Sequence, residues 1–467
     1  MPPCRRITGK RYATMSSVQA FIAANRFGFG ARPGELAVIA RDPMGWALAQ
    51  LDARHVPQPA LQKLPSTAEA LRDGLGLLQR AKQSKNSGDA DAQRKMLRET
   101  VKTLRDDYAE EAAARTQLAI QSAAPFFERL VQFWSNHFTV SATKRQSLTL
   151  VAAFERDAIR PHVMGNFADL LLASSRHPAM LVYLDNARSI GPNSPAGKRR
   201  NKGLNENLAR EILELHSLGV NGGYTQEDVI ALAKMLTGWT ADANGTGDGS
   251  GFLFMNLLHE PGPKKLFGKT YRAGGVQEAE AALRDLARHP SAAAFVATKL
   301  ARHFVADDPP AAVIRTLQNA YLRSGGDLRP VYKTLIALPE IWQAPLGKIK
   351  TPNDYIISLL RASGMTADIR LLAQAYQSLN QIPFSAPSPA GWSDRGADWI
   401  GGEALLRRIE LAESVARAVH TTLDPQSVFA ETIAPVASES TRQAVRRAGS
   451  RAEALTLLFS SPEFQRR

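Results

Sequence analysis

The sequence is poor in the residues that mark several protein classes. It has one cysteine, Cys4, in 467 residues, which excludes an internal disulfide framework. Aromatic residues make up only 7% of the chain. No apolar run approaches the roughly 20 residues that span a bilayer, so the sequence predicts no transmembrane segment. Hydrophobic residues (44%) and charged residues (22%) occur in proportions that are ordinary for a globular protein.

Familiar catalytic signatures are also missing. The sequence has no phosphate-binding glycine loop, no nucleophile elbow and no dinucleotide-binding glycine motif after a strand. Cys4 lies in a basic N-terminal stretch and is a poor candidate for a nucleophile. The sequence therefore identifies no reaction by motif, and function has to be argued from the side chains that the fold brings together.

Positive charge is in excess, with 58 Lys and Arg against 44 Asp and Glu and a formal net charge of +14. An excess of this size is compatible with contact to nucleic acid or to an anionic surface. The basic residues are scattered, however, and no run alternates them with aromatic side chains. This distribution is typical of a solvated surface and argues against nucleic-acid binding.

Residues 1–19 are predicted to form a disordered basic tail, and residues 20–463 to form one domain. Arg5 and Arg6 are not followed by the apolar stretch of about 7–15 residues that a cleavable signal peptide requires. The sequence as written therefore predicts a cytoplasmic protein. Met15 is an alternative start, which would remove most of the tail.

Apolar residues recur at helical spacing through most of the chain. The predicted helices include 91–122, 147–160, 205–218, 225–238, 352–363 and 440–458. The one strand signal is 252–271, where two apolar runs flank Pro261-Gly262-Pro263 and predict a short β-hairpin. The proline-rich segment 381–394 is predicted to be a connection at the surface or between lobes. The expected fold is mostly α, an orthogonal or bundle-like single domain of many helices with that one hairpin.

The predicted helix 205–218 is unusually polar. At about 100° per residue, Asn207, Arg210, Glu211 and Glu214 share roughly a third of the helix circumference, whereas His216 falls on the apolar side. Two interpretations of the polar face are open. It is either a solvated stripe with i,i+4 ion pairs, or a buried array in which Arg210 orients carboxylates for a metal or a proton transfer. His216 is interpreted either as a buried structural histidine or as a ligand or base.

The spacing Glu211-x-x-Glu214-x-His216 matches neither the histidine pair of zinc proteases nor the Glu-x-x-His motif of di-iron bundles. A divalent-metal site would therefore need ligands from other parts of the chain. The histidines to consider as donors are His137, His259 and His303.

Segment 189–203 is rich in glycine, proline and asparagine and carries Lys198, Arg199 and Arg200. Asn205, just beyond it, is a good N-cap for the helix that follows. Basic side chains and backbone N–H groups at a helix N-terminus would together bind an anion. The alternative is a solvated loop whose charges do not converge.

Eight blocks of sequence follow one another along nearly the whole chain. They are ANRFGFGARPGE (24–35), FWSNHFTVS (133–141), YLDN (183–186), NENLAREILELHSLGVNGGYTQEDVIALAKMLTGW (205–239), HEPGPKKLFGKTY (259–271), KLARHFVADDPP (299–310), KIKTPNDYIISLLRA (348–362) and PSPAGWSD (387–394). In this order they resemble the bacterial DUF1800 family, a domain of unknown function.

The resemblance implies a largely helical protein that folds as one unit. It implies no particular reaction, because none is established for the family. Members are often exported and often encoded beside DUF1501 proteins, which look like relatives of sulfatases or phosphatases, so a DUF1501-like protein is the partner that the resemblance implies. This chain lacks the export signal of many relatives. It also has His259-Glu260 where many members have His-Asp, which lengthens the carboxylate side chain.

The resemblance also implies a shared polar constellation in the matching blocks. The expected catalytic residues are Asn207, Arg210, Glu211, Glu214, Asp228 and His137. The expected ligands of a divalent metal are His137, Glu211, Glu214 and His259, and the expected anion-binding residues are Lys198, Arg199, Arg200 and Asn205. Two functions are expected from these residues: a hydrolytic or metal-assisted enzyme, or a non-enzymatic scaffold that acts as the partner of a DUF1501-like protein.

Overall fold

The structure is a computed structural model that describes residues 17–52, 61, 64–74, 90–200, 203–242, 244–343 and 346–467. It is mostly α-helical, as the sequence predicts. The α-helices are α1 Glu35–Ile39, α2 Pro43–Ala49, α3 Ala90–Gln121, α4 Pro125–His137, α5 Val151–Phe154, α6 Phe167–Arg176, α7 Pro178–Tyr183, α8 Pro195–Arg200, α9 Asn207–Glu211, α10 Gln226–Leu236, α11 Val276–Ala287, α12 Pro290–Phe304, α13 Ala311–Ser324, α14 Leu328–Ala337, α15 Pro352–Ser363, α16 Ile369–Ser378, α17 Gly402–Val419, α18 Pro425–Thr432, α19 Glu439–Arg447 and α20 Arg451–Ser460.

Residues 17–22 and 67–74 are also helical. Three segments are π-helical: Ala23–Phe27, Glu155–Ile159 and Ile212–Ser217. The predicted domain boundary at residue 20 falls inside the helix 17–22, and residues 1–16 of the predicted tail lie outside the described residues. No helix within the described part of the chain is both long and apolar enough to cross a membrane.

The strands form two small antiparallel sheets. β1 (Trp239–Ala241) pairs with β2 (Phe252–Phe254), and β3 (Lys264–Leu266) pairs with β4 (Lys269–Tyr271). A β-hairpin does lie within the predicted range 252–271, but β3 and β4 form it around Phe267-Gly268, so the predicted pairing across Pro261-Gly262-Pro263 is wrong. Prolines cannot donate to a ladder, and the apolar run at β2 pairs with β1 instead.

Two predicted helices are interrupted. Segment 440–458 is split into α19 and α20 around Gly449, whose residue type is unfavourable in a helix interior. Segment 147–160 is helical only from Val151, and it changes to a π-helix at Glu155. By contrast, α10 and α15 begin where Thr225 and Thr351 accept hydrogen bonds from backbone N–H groups, close to the predicted bounds.

Two large hydrophobic clusters form the interior. The larger one collects residues between Phe27 and Ile341, and the other collects Phe21, Ile22 and residues from 355 to 464. Buried polar pairs lie between these clusters and are called the polar seam below. They are Arg129–Asp354, Arg361–Glu35 and His303–Asp394. Each charge in the polar seam has a partner of opposite sign or a hydrogen bond, as burial of a charge requires.

Candidate functional site

The polar face of α9 forms a network at the protein surface. Arg210 donates hydrogen bonds to Glu206 (3.2 Å) and Gln226 (3.0 Å) and approaches Glu214 at 3.5 Å. The Arg210 side chain is 39% exposed, and Asn207 is exposed as well. Helix-surface ion pairs of this kind contribute only about 0.2–0.5 kcal/mol each. The geometry is that of a half-solvated surface network.

Two tyrosines lie beside the carboxylates of this helix. Burial, together with Glu214, raises the pKa of Glu211. Burial, with Glu211 nearby, raises the pKa of Tyr183 to about 12. Burial and a hydrogen bond to Glu214 likewise raise the pKa of Tyr224 to about 12. The carboxylates are thus partly shielded from water, and a catalytic role for Glu211 and Glu214 stays a prediction.

The carboxylate of Asp228 is already bound by the backbone. One oxygen accepts hydrogen bonds from the backbone N–H (2.9 Å) and the hydroxyl (3.1 Å) of Thr225, which forms a capping box. The other oxygen accepts a hydrogen bond from the backbone N–H of Phe267 (2.8 Å) in the turn between β3 and β4. This arrangement fits a structural role, in which Asp228 ties the start of α10 to the second sheet.

His137 and His216 face the aromatic core. His216 is fully buried, and neither of its ring nitrogens has a hydrogen-bond partner among the described residues. Nε2 of His137 donates to the carbonyl oxygen of His216 at 3.0 Å, and the rings of Trp134 and Phe138 pack against His137. Burial lowers the pKa of His216 to about 3 and holds that of His137 well below its ordinary value. Both histidines are neutral side chains of the core.

His259 lies in a separate buried cluster. Its Nε2 is 3.3 Å from the Glu278 carboxylate and 3.4 Å from the Lys264 ammonium, which itself donates to Glu278 at 3.0 Å. The neighbouring Glu260 accepts hydrogen bonds from the backbone (2.8 Å) and the side chain (2.6 Å) of Asn193. The longer carboxylate of His259-Glu260 therefore anchors the chain around residue 193.

The structure does not bring the expected metal ligands together. His137 packs in the aromatic core, Glu211 and Glu214 lie on the half-exposed face of α9, and His259 lies beside Lys264. Within the described ranges, no three His, Cys, Asp or Glu side chains are placed to hold one metal ion. His216, which follows the two carboxylates on the same helical segment, is fully buried, whereas Glu211 and Glu214 are half-buried.

The predicted anion-binding segment is partly helical. Lys198 and Arg199 are exposed on α8, and the side chain of Arg200 lies outside the described residues. The side-chain oxygen of Asn205 accepts a hydrogen bond from the backbone N–H of Asn207 at 2.9 Å, but the N-cap position of α9 is Glu206, so the predicted N-cap is one residue out. Anion binding at this place stays a prediction.

A polar cavity of about 90 Å³ lies in the polar seam, between the two hydrophobic clusters. Helix α4, the end of α12, the start of α15 and the segment 381–394 each contribute to its walls. The polar side chains in its walls that could contact a ligand include Arg129, Gln132, His303, Asn353, Asp354 and Asp394. This cavity, which is called the seam cavity below, collects buried charged groups from four separate parts of the chain.

Arg129 and Asp354 form the charged floor of the seam cavity. The Arg129 guanidinium donates to the carbonyl oxygen of Gly28 (2.7 Å) and to Asp354 (3.2 Å), and it lies 4.4 Å above the ring of Phe29. Burial alone would raise the pKa of Asp354, but Arg129 and Arg467 lower it to about 2. The carboxylate is therefore ionised at neutral pH and holds Arg129 in place.

His303 and Asp394 form a buried pair in the wall of the seam cavity. Nδ1 of His303 is 2.7 Å from the Asp394 carboxylate, and both side chains are 11% exposed. Burial lowers the pKa of His303 to about 4, against the opposing effect of Asp394. Although burial would raise the pKa of Asp394, the hydrogen bond from His303 and the nearby lysines hold it below its ordinary value.

At neutral pH His303 is therefore an uncharged imidazole. Because Asp394 can only accept a hydrogen bond, we assign the ring proton to Nδ1 and the lone pair to Nε2. The hydrogen-bond partner of Nε2 among the described residues is the Arg129 guanidinium at 3.5 Å, the outer limit for a hydrogen bond. Nε2 is thus an acceptor that receives only one long hydrogen bond from the described residues.

Gln132 supplies an unused donor to the same cavity. Its side-chain oxygen accepts a hydrogen bond from Asn353 (2.8 Å), but its Nε2 is buried without a partner among the described residues. A buried amide donor without a partner costs about 1–3 kcal/mol, which a ligand oxygen or a water would recover.

The segment 381–394 is fixed to α4 at Asn136. The side chain of Asn136 donates to the carbonyl oxygen of Trp392 (2.9 Å) and accepts from its backbone N–H (2.7 Å). Gly391 precedes this contact with φ +83°, and a Cβ there would come within 2.5 Å of the carbonyl oxygen of Asn136. Only glycine fits at this position, and the close approach holds Asp394 against His303.

Spacing along the sequence could not have predicted the seam cavity. Arg129, His303, Asp354 and Asp394 are far from one another in the chain, and the sequence suggests His303 only as one of several possible metal ligands. The family resemblance is the one feature of the sequence that points to this cavity. Residues 133–141, 299–310, 348–362 and 387–394 all belong to the blocks that carry the family resemblance, and all four contribute to the walls.

The family model of DUF1800, a protein family of unknown function, matches residues 22–466. The chain therefore belongs to the DUF1800 family. No curated protein and no solved structure matches the chain.

Proposed function

We propose that this DUF1800 protein is a hydrolase and that His303 is its general base. The observation that carries the proposal is the 2.7 Å contact between His303 Nδ1 and Asp394 in the wall of the seam cavity. This contact leaves Nε2 as the unprotonated ring nitrogen, which is the form a base requires. Asp394 is a positioning residue that fixes the tautomer and stabilises the imidazolium that forms during the reaction.

The reaction we propose is the hydrolysis of an ester or an amide. A water in the seam cavity gives a proton to His303 Nε2 while its oxygen attacks the carbonyl carbon of the substrate. The oxyanion that forms accepts a hydrogen bond from Gln132 Nε2. The carbon–oxygen or carbon–nitrogen bond then breaks, and the proton moves from His303 to the leaving group.

Arg129 has an electrostatic role in this proposal. It is fully buried and already bound to Gly28 and Asp354, so it does not have to bind the substrate itself. Its positive charge opposes protonation of His303 and favours the negative charge that develops in the transition state.

Hydrolysis by purified variants tests the proposal, with a panel of nitrophenyl esters and aryl amides as substrates. His303→Gln is expected to lower the rate by about 100-fold or more, since general base catalysis is worth roughly 10²–10⁴ in rate. The wild-type rate is expected to rise with pH through about 4 and then to level off, because only neutral His303 accepts a proton.

His177→Gln is the matched control. His177 is also a buried histidine near an aspartate, but its ring contacts the hydroxyl of Thr67, which is hydrogen-bonded to Asp157, outside the seam cavity, and burial lowers its pKa to about 4 as well. The control is expected to keep the wild-type rate per folded molecule. A folded His303→Gln variant with the wild-type rate on every substrate that the protein cleaves would contradict the proposal.

A second role, as the partner of a DUF1501-like protein, is supported by a different observation. Exposed apolar side chains lie just before α17 and along its first turns: Ile400 (38%), Leu405 (40%), Leu406 (54%) and Ile409 (43%). Contiguous exposed apolar surface is a feature of protein–protein contacts. None of the four residues of this surface, called the α17 face below, lines the seam cavity, so the two roles are compatible.

A further inference from the structure

We propose that the groove between α3 and α16 binds an anionic amphiphile, a molecule with one apolar chain and one acidic head group such as a long-chain carboxylate. This site does not depend on the proposed hydrolysis at His303. The groove encloses about 630 Å³, which is within the range of roughly 300–1,000 Å³ that small-molecule sites occupy.

The walls of the groove are apolar and come from matching helix faces. Leu104, Tyr108 and Ala112 recur every four residues on α3, with Ala109 beside them, and Leu372 and Ala373 line the groove from α16. The alanines leave room between the helices for a ligand. Because each CH₂ group removed from water contributes a nearly constant free energy, binding is expected to tighten about fourfold per added CH₂.

The charges of the groove select the head group. Arg105 and Arg145 both line it and are exposed, and neither has an ion-pair partner among the described residues. No Asp or Glu from the described part of the chain lines the groove. Two guanidinium groups without a carboxylate are complementary to a carboxylate or phosphate head group and would repel an ammonium.

The groove is a separate site that shares one wall with the seam cavity. Ile382 and Pro383 line both spaces. The hydroxyl of Tyr108 donates to the carbonyl oxygen of Pro383 and lies 3.1 Å from the hydroxyl of Ser385, which fixes this wall to α3. An apolar chain in the groove would therefore lie against the wall and would leave the catalytic groups on its other side.

Calorimetric titration of the full chain tests the proposal, below the critical micelle concentration of each ligand. Dodecanoate is expected to bind saturably, at least tenfold more tightly than dodecyltrimethylammonium, and octanoate at least tenfold more weakly than dodecanoate. The double variant Arg105→Glu/Arg145→Glu is expected to reverse the preference between the two head groups. Ala109→Phe, which fills the groove, is expected to weaken both ligands by tenfold or more.

The control is Lys102→Glu/Arg370→Glu, which makes the same total change of charge on α3 and α16, the two helices of the groove, at residues that do not line it. It is expected to bind dodecanoate within threefold of the wild type. Equal binding of both head groups by the wild type, absence of saturable binding, or equal weakening by the control would overturn the proposal. So would a dimer in light scattering that Ala109→Phe dissociates, since the groove would then be filled by a second copy of the chain.

Discussion

Four of the described histidines are buried and have a pKa that burial lowers strongly. Burial lowers the pKa of His177 and His303 to about 4 and that of His216 to about 3, and it holds that of His137 well below its ordinary value. Of these four, only His303 combines an ionised carboxylate on Nδ1 with an Nε2 at the wall of a cavity. A low pKa therefore does not distinguish a base from a core histidine, but the hydrogen-bond partners do.

These shifts determine how stability depends on pH. In the unfolded chain a histidine has a pKa of about 6.5. Between that value and the lower pKa of the folded state, the unfolded chain binds more protons, so the free energy of unfolding falls as the pH falls. The stability that the neutral histidines preserve is complete above pH 6.5 and is lost progressively below it.

His216→Leu tests this dependence at one residue. In the wild type, His216 takes up a proton on unfolding at pH 5, which lowers the free energy of unfolding. Leucine takes up none. The free energy of unfolding of the variant is therefore expected to fall less between pH 7 and pH 5, by about 2 kcal/mol. Urea denaturation at the two pH values measures it. An unchanged loss would mean that His216 accepts a proton in the folded protein.

At the scale of helices and strands, the sequence was most informative where local signals agree. Residues 352–363 were predictable as a helix because Thr351 and Pro352 mark its start and an apolar face follows. The π-helical segment Ile212–Ser217 was not predictable, because its i→i+5 hydrogen bonds leave no signature in the apolar spacing. The pairing of β1 with β2 was also missed, since it depends on a loop of low sequence complexity between them.

Asp228 has structural contacts, and its expected catalytic role stays a prediction. Its carboxylate accepts the hydrogen bonds that form the capping box of α10, and it also accepts one from the backbone N–H of Phe267. Asp228→Ala is expected to lower the free energy of unfolding by about 1–2 kcal/mol, because both backbone contacts lose their acceptor. Urea denaturation measures this loss, and the hydrolysis rate per folded molecule is expected to remain at the wild-type value. A lost rate at unchanged stability would instead restore Asp228 to the catalytic residues.

At the scale of the whole molecule, the site depends on contacts between two hydrophobic clusters. Arg129 belongs to a helix of the first cluster, Asp354 to a helix of the second, and Asp394 to the segment that runs between them. The spacing of residues along the chain cannot predict such a site, because the residues that contact one another in it are distant in sequence. The family resemblance did point to the blocks that contain Asp354 and Asp394, although not to Arg129, and the sequence also predicted that residues 381–394 connect rather than form a helix.

The α17 face leads to a prediction about assembly. Leu406→Glu places a charge in the middle of the exposed apolar row and is expected to abolish co-purification with a co-expressed DUF1501-like protein. Because Leu406 is 54% exposed, the stability of the chain is expected to change by less than about 0.5 kcal/mol.

Val220→Glu is the control for this prediction, since Val220 is also an exposed apolar residue (66%) but lies outside the α17 face. It is expected to leave the complex intact. A complex that tolerates Leu406→Glu, or a wild-type protein that captures no DUF1501-like protein, would remove the support for this role.

The central claim is that His303 is a neutral imidazole with its proton on Nδ1 and its lone pair on Nε2. Nitrogen NMR of the histidine-labelled protein at pH 7 tests it most directly, with the His303 signals identified by their loss in His303→Gln. The account predicts a protonated Nδ1, an unprotonated Nε2 and titration near pH 4. A doubly protonated ring at pH 7, or a proton on Nε2 in place of Nδ1, would contradict it.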